Sequence, residues 1–299
     1  MSKSVPVERI GAQRCAVGES PLWSVSEQAW YWVDIVARTI WRHDPHSGAI
    51  DNWHTSEMVA CLATRAGGGL IAGMETGLFE LELGTTVRER CLATPLGLGP
   101  GMRFNDGRCD RQGRFWSGTM AMDMALARPD GRLYRYGSDG TLAGPFVSGM
   151  LVPNGLAFAP DGRTMYLSDS HPHSQQVWAF DYDPDTGVPS RQRLFIDMLP
   201  HPGRPDGAAV DTDGCYWICG NDAGCVLRFT PAGKLDRRID VPMLKPSMCS
   251  FGGPDLDTLL VTSIGAGQPA DDAWAGATVM LRPGVQGIAE TPFNGQTAS

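Results

Sequence analysis

Four short polar signatures stand at the starts of apolar strands along this 299-residue chain: Glu19 in Gly18-Glu-Ser-Pro-Leu-Trp23, Asn105-Asp106-Gly107, Pro153-Asn154-Gly155 and Pro205-Asp206-Gly207. They offer carboxylate and amide oxygens and neither sulfur nor imidazole. If the strands that follow repeat about an axis, those oxygens meet there. Convergent oxygens at roughly 2.0 to 2.6 Å suit a hard divalent cation such as calcium, magnesium or manganese. A metal site is therefore the first expectation, and the fold must supply the axis.

The axis is legible as a repeat. One apolar core reads Tyr31-Trp-Val-Asp-Ile35, with counterparts at Leu70–Gly73, Phe115–Gly118, Met165–Ser168, Tyr216–Cys219 and Leu259–Thr262. Each is followed by a loop and a second apolar strand, and five of the six are preceded by another, as in Gly155-Leu-Ala-Phe-Ala-Pro-Asp-Gly162. A period of roughly 40 to 50 residues with several strands per unit predicts a β-propeller. An α/β fold would need helical periodicity between strands, which is missing, and a β-sandwich would not explain six copies of one unit. The chain is read as all-β, a single six-bladed propeller domain over residues 1–299 with mostly four-stranded antiparallel blades. The sixth unit shows only three strands, so the segment Val5–Ile10 is expected to supply its outer strand and close the ring.

Composition excludes several classes. A net charge of −8 with no basic run argues against nucleic acid. No apolar stretch approaches the roughly 18 residues of a membrane span, and the first residues lack a signal-peptide core, so no membrane partner and a cytoplasmic location are expected. The eight cysteines form no Cys-x-x-Cys pair. They are expected to be reduced, mostly buried thiols. A monomer or weak homo-oligomer is the expected state.

In an antiparallel blade the start of the innermost strand shares a face with the loop between the second and third strands. That face should gather Glu19, Asn105, Asn154 and Asp206 with loop residues Met122 to Met124, His171, His173, Asn221 and Asp222. The turns at Asp161-Gly162 and Asp213-Gly214 fall at the opposite end. His171-Pro-His173 has no third nitrogen or sulfur ligand nearby and reads as a rim loop, not a zinc site. Trp32, Trp116, Trp178 and Trp217 read as packing between blades. The run Met120-Ala-Met-Asp-Met124 could form a soft wall over a substrate or simply pack.

These signatures, together with Arg103-Phe-Asn-Asp-Gly107, Gly118-Thr-Met-Ala121 and Cys249-Ser-Phe-Gly-Gly253, resemble in order and over nearly the whole chain the SMP-30/gluconolactonase/regucalcin family of six-bladed propellers. The resemblance implies one divalent metal (calcium, magnesium, manganese, zinc or iron) held at Glu19, Asn154 and Asp206, with Asn105 lining the site. It implies hydrolysis of a small-molecule partner, a sugar lactone or another small ester. It also implies that Arg103, Asn105 and Asp123 hold substrate hydroxyls. Some relatives carry Glu where Asp123 stands, which shortens that contact here by one methylene.

Two carboxylates and an amide oxygen neutralise a dication and leave positions open for water and a substrate oxygen. Polarisation of a lactone carbonyl then makes water the natural nucleophile. Asp206 is the first choice of base, and Asp106 the second, although Asp106 suits a turn or a hydrogen bond between blades better. The expected activity is opening of an aldonolactone such as gluconolactone or a pentonolactone. A phosphotriesterase, an aryl or alkyl esterase, and a non-catalytic metal-binding propeller are the alternatives.

Overall fold

Short apolar runs punctuated by turn residues leave no length for helices. The structure, a computed structural model describing residues 5–295, has among those residues 24 strands and one short 3-10 turn, Met124–Leu126. The strands form six four-stranded antiparallel sheets, the blades of a six-bladed propeller. The innermost strands of blades 1 to 6 are Gly18–Ser24, Val59–Thr64, Met102–Cys109, Pro153–Phe158, Arg204–Val210 and Pro246–Gly252. Each is buried almost end to end because neighbouring blades cover both of its faces. Outermost strands such as Val87–Ala93 and Val188–Asp197 carry charged side chains into solvent.

The six repeated apolar cores form the second strands of their blades, from Ala29–Asp34 in blade 1 to Thr258–Ser263 in blade 6. The ring closes as expected. Val7–Arg9 pairs antiparallel with Val279–Leu281, Val7 opposite Leu281, and completes blade 6 as its outer strand. The apolar core confirms the closure, because its six clusters fall one at each junction between blades. The junction of blades 6 and 1 is filled by Ile10, Trp23, Trp30, Trp32 and Leu260. That of blades 5 and 6 holds Trp217 against Phe251, with ring centroids 5.7 Å apart. Trp32, Trp116 and Trp217 are fully buried. Burying an apolar side chain of this class stabilises the fold by about 2 to 3 kcal/mol. All eight cysteines are free thiols, seven of them buried and Cys91 exposed.

The chain after the last strand returns across one end of the central channel, a course the sequence did not suggest. The Gln286 carbonyl accepts from the Thr212 N–H at 3.0 Å, and the Gly287 N–H donates to Leu256 at 2.8 Å. Further on, Phe293 donates to Thr64 at 2.7 Å and Asn294 to Gly113 at 3.0 Å. All four partners lie where first strands turn into second ones, so this segment covers the end opposite the polar signatures. Glu290 there meets Arg108 at 3.1 Å. No helix among the described residues is long and apolar enough to cross a membrane.

Candidate metal centre and active site

The innermost strands are irregular at their signatures. Register against the second strand slips between Glu19 and Leu22, Phe104 and Gly107, Asn154 and Ala157, and Pro205 and Ala208. A bulge bends the strand and re-aims its side chains, so consecutive polar residues take different tasks. Asn105 faces the channel, whereas Asp106 accepts at 2.8 Å from the Leu156 N–H of the next blade. Glu19 faces the channel, whereas Ser20, at φ 50°, accepts through Oγ from the Leu62 N–H at 2.8 Å. Asp106 thus joins two blades and stands outside the channel lining. Gly155 sits at φ 58°, and a Cβ there would lie 2.5 Å from the Tyr216 hydroxyl, so the residue after Asn154 must be glycine.

Glu19, Arg103, Asn105, Asn154 and Asp206 line one cavity of about 640 Å³ at the mouth of the channel. Its floor is hydrogen-bonded from blade to blade. Arg103 Nη1 donates to Asn105 Oδ1 at 2.7 Å and to the Phe104 carbonyl at 2.8 Å, and Asn105 Nδ2 donates to the Pro153 carbonyl at 2.9 Å. Asn154 Nδ2 donates to Asp206 Oδ1 at 2.6 Å, and Asn221 Nδ2 donates to Asp206 Oδ2. This arrangement fixes the Asn154 amide with its oxygen turned away from Asp206, and that buried Oδ1 has no hydrogen-bond partner among the described residues. A buried amide oxygen without a partner costs about 1 to 3 kcal/mol unless something else occupies it.

Electrostatics point to the same occupant. Burial pushes the Glu19 carboxyl well above its ordinary range, and the Asp206 and Asp106 charges push it further. Burial likewise raises Asp206 to about 7, against the pull of Arg204 and the hydrogen bond from Asn221. Two buried carboxylates that repel each other, with an unsatisfied amide oxygen beside them, form a donor set that a dication would satisfy. Among the described residues no three His, Cys, Asp or Glu side chains gather as a metal-binding group, so a third oxygen beside Glu19 and Asp206 would come from an amide, which Asn154 offers. The residues fit a hard divalent ion.

Not every expected residue comes to this cavity. Asp123 is exposed and caps the 3-10 turn, accepting from the Ala125 N–H at 3.0 Å, and it is absent from the cavity lining. Its neighbours do line the cavity, where Met120, Met122 and Met124 with Met58 supply apolar surface. His171 is buried, and its Nδ1 accepts from the His173 N–H at 3.1 Å, which leaves the proton on Nε2 to donate to the Met124 carbonyl at 3.1 Å. The imidazole therefore holds the rim and has no free nitrogen for a metal.

Three charged cavity residues escaped the sequence reading: Arg38, Arg204 and Lys245. A signal for Arg204 was present. Arg204-Pro-Asp206 repeats the spacing of Arg103-Phe-Asn105, and a two-residue step along a strand returns to the same face. Arg204 Nε donates to Asp222 Oδ2 at 2.7 Å, and its Nη1 donates to the Ser170 carbonyl at 2.8 Å.

Known proteins share this fold. Residues 17–265 match the family model described as the SMP-30/gluconolactonase/LRE-like region. A 6-deoxy-6-sulfogluconolactonase of Pseudomonas putida is 38% identical over 95% of this chain and 97% of its own length. A pentonolactonase of Haloferax volcanii is 35% identical over 87% of this chain and 85% of its own. Among solved structures, a luciferin-regenerating enzyme superposes with a TM-score of 0.90 at 27% identity, covering 97% of this chain and 100% of that one. A calcium-binding regucalcin of Agrobacterium tumefaciens gives 0.89 at 26% identity, covering 97% and 98%. With the family match over residues 17–265 and relatives at 35% to 38% identity over most of its length, this chain belongs to the SMP-30/gluconolactonase/LRE-like family.

Proposed function

We propose that the chain, as one propeller domain over residues 1–299, is a metal-dependent lactonase that opens small sugar lactones. The observation that carries this reading is the meeting of Glu19, Asn154 and Asp206 with Arg103 and Asn105 in one cavity. Relatives that are a sulfogluconolactonase and a pentonolactonase support it.

Glu19, Asn154 Oδ1 and Asp206 would hold the ion, which when bound polarises the lactone carbonyl and stabilises the negative charge that develops on its oxygen. The other tasks fall to side chains. Asn154 and Asn221 each donate to one oxygen of Asp206 and fix its plane at the cavity floor. Asp206 acts as general base, taking a proton from water as the water oxygen bonds to the carbonyl carbon. The ring C–O bond then breaks, and the proton passes to the departing oxygen to give the hydroxy acid. Arg103 is pinned through Nη1, so its remaining guanidinium donors are held at a fixed angle for substrate hydroxyls. Asn105 keeps one amide hydrogen and one lone pair for the same purpose.

The methionine wall favours a second reading, an esterase for aryl or alkyl esters that lack hydroxyls. One experiment separates the two: chelated protein restored with one divalent ion at a time, assayed on aldonolactones, an aryl ester and an organophosphate. The expected result is lactone hydrolysis that disappears on chelation and returns with an ion. A rate indifferent to chelation, or an ester or phosphotriester turned over faster than any lactone, overturns the lactonase reading.

A further inference from the structure

We propose that the lactone accepted by this cavity carries an ionised group, a sulfonate, phosphate or carboxylate, at the end of the sugar remote from the carbonyl. The inference rests on the lactonase reading and adds the charge of the substrate. The chain as a whole is acidic, with a net charge of −8. Its cavity has the opposite balance, four cationic side chains, Arg38, Arg103, Arg204 and Lys245, against two carboxylates, Glu19 and Asp206. An acidic protein that lines one concavity with positive charge focuses a field there, and the field selects anions.

The charges are also sorted by position. Glu19, Asp206 and Arg103 belong to the floor, where Asp206 accepts from Asn154 of the neighbouring blade and Arg103 is pinned within its own strand. From the floor a chain of contacts climbs to the rim. Asp206 accepts from Asn221, and Asn221 Oδ1 accepts from Arg204 Nη2 at 3.2 Å. Arg204 Nε donates to Asp222 Oδ2 at 2.7 Å, and Lys245 Nζ stands 3.8 Å from Asp222 Oδ1. One carboxylate thus serves two cations and leaves one positive charge uncompensated. On the adjoining blade Arg38 donates to the Ser56 carbonyl at 3.2 Å, and no carboxylate pairs with it among the described residues.

Neither the fold nor a neutral sugar accounts for this rim. The Lys245 side chain is 28% exposed and lies beyond hydrogen-bond distance of Asp222, so it braces no loop strongly. A neutral polyol gains nothing from uncompensated charge, since its hydroxyls need donors and acceptors together. The carboxylate released by lactone opening forms beside Asp206 at the floor, so it leaves the rim cations unexplained. A cavity of about 640 Å³ has room for a six-carbon sugar with a charged substituent.

The test compares kcat/KM for a neutral aldonolactone with that for three lactones of the same length ending in sulfonate, phosphate or carboxylate. In the wild type at least one ionised lactone should exceed the neutral one by about tenfold, and the best of the three identifies the group. Lys245→Met and Arg38→Gln, both outside the buried core, should lower that ratio, by about tenfold for Lys245 and severalfold for Arg38. Raising ionic strength from about 0.02 to about 0.5 M should lower the ratio as well. Equal or better hydrolysis of the neutral lactone, or a ratio unmoved in both variants, overturns the inference while leaving the lactonase reading intact. Failure to hydrolyse any lactone overturns both.

Discussion

The two ends of the central channel are made from the same six strands, yet they handle buried charge in opposite ways. At the open end Glu19 and Asp206 carry like charge, both are pushed upward by burial, and the Asn154 oxygen beside them lacks a partner. On the covered face the buried arginines Arg108 and Arg228 meet carboxylates. Arg108 pairs with Glu290 at 3.1 Å. Arg228 reaches Asp211 at 2.8 Å, Asp213 at 2.7 Å and Asp236 at 2.8 Å. The contrast separates charge arranged for stability from charge arranged for a ligand. A buried polar group left without a partner calls for an explanation, and an occupant at the open end would supply one for Asn154.

Breaking the open end should cost activity and spare the fold. Asp206→Ala and Asn154→Ala are expected to lower kcat/KM for a lactone by about three orders of magnitude or more. The ion-free variants should stay folded, because the repelling charge that Asp206→Ala removes and the unsatisfied oxygen that Asn154→Ala removes offset the amide hydrogen bonds each loses. Wild-type turnover in Asp206→Ala would sink the mechanism. Breaking the covered end should do the reverse. Arg228→Met leaves Asp211, which is fully buried, without its guanidinium, and should destabilise the protein by about 3 to 5 kcal/mol in urea unfolding while kcat per folded molecule holds. A loss of turnover out of proportion to the unfolded fraction would mean that the two ends are coupled.

Acidity sharpens the same comparison. The Asp206 carboxyl rises from an ordinary 3.8 to about 7 in the folded, ion-free protein. A carboxyl raised by folding contributes stability that is fully present below the unfolded value and is lost as pH climbs through the folded one. Ion-free protein should therefore lose thermal stability between about pH 4 and about pH 7. A bound dication favours the ionised carboxylates and cancels the loss. The gap in Tm between ion-saturated and ion-free protein should widen across that window and shrink in Asp206→Asn. Parallel curves would show that no ion sits on these carboxylates.

Much of this architecture was legible because the repeat is. Six apolar cores at blade spacing lie in the second strands, and the missing strand of blade 6 pointed to Val5–Ile10, of which Val7–Arg9 pairs. The gathering of Glu19, Asn105, Asn154 and Asp206 followed from their shared place at strand starts. What stayed hidden depends on non-local geometry. The bulges that turn Asp106 toward Leu156 while Asn105 faces the channel leave no mark beyond adjacent polar residues. The return of the chain across the covered end depends on backbone hydrogen bonds, which any sequence can make. Arg38 and Lys245 reach the cavity from loops, where no periodicity reports direction.

The loop holding Asp123 yields the smallest and most delicate effect. The resemblance makes Asp123 a direct substrate contact, whereas the structure shows its carboxylate turned to the Ala125 N–H, capping the turn whose Met124 lines the cavity. A cap of this kind contributes about 1 kcal/mol, and asparagine serves nearly as well as aspartate. If Asp123 acts by holding the turn, Asp123→Ala loosens the wall at Met124 and raises KM about two- to fivefold with kcat nearly constant, whereas Asp123→Asn restores KM. If the carboxylate swings inward to bind a hydroxyl, the amide oxygen of Asn replaces a charged acceptor with a neutral one, and both variants raise KM. The structure favours the first pattern. Measuring kcat and KM for the two variants on one lactone therefore decides whether this position, the one where the family's pattern and this chain's geometry diverge, touches substrate or shapes the wall beside it.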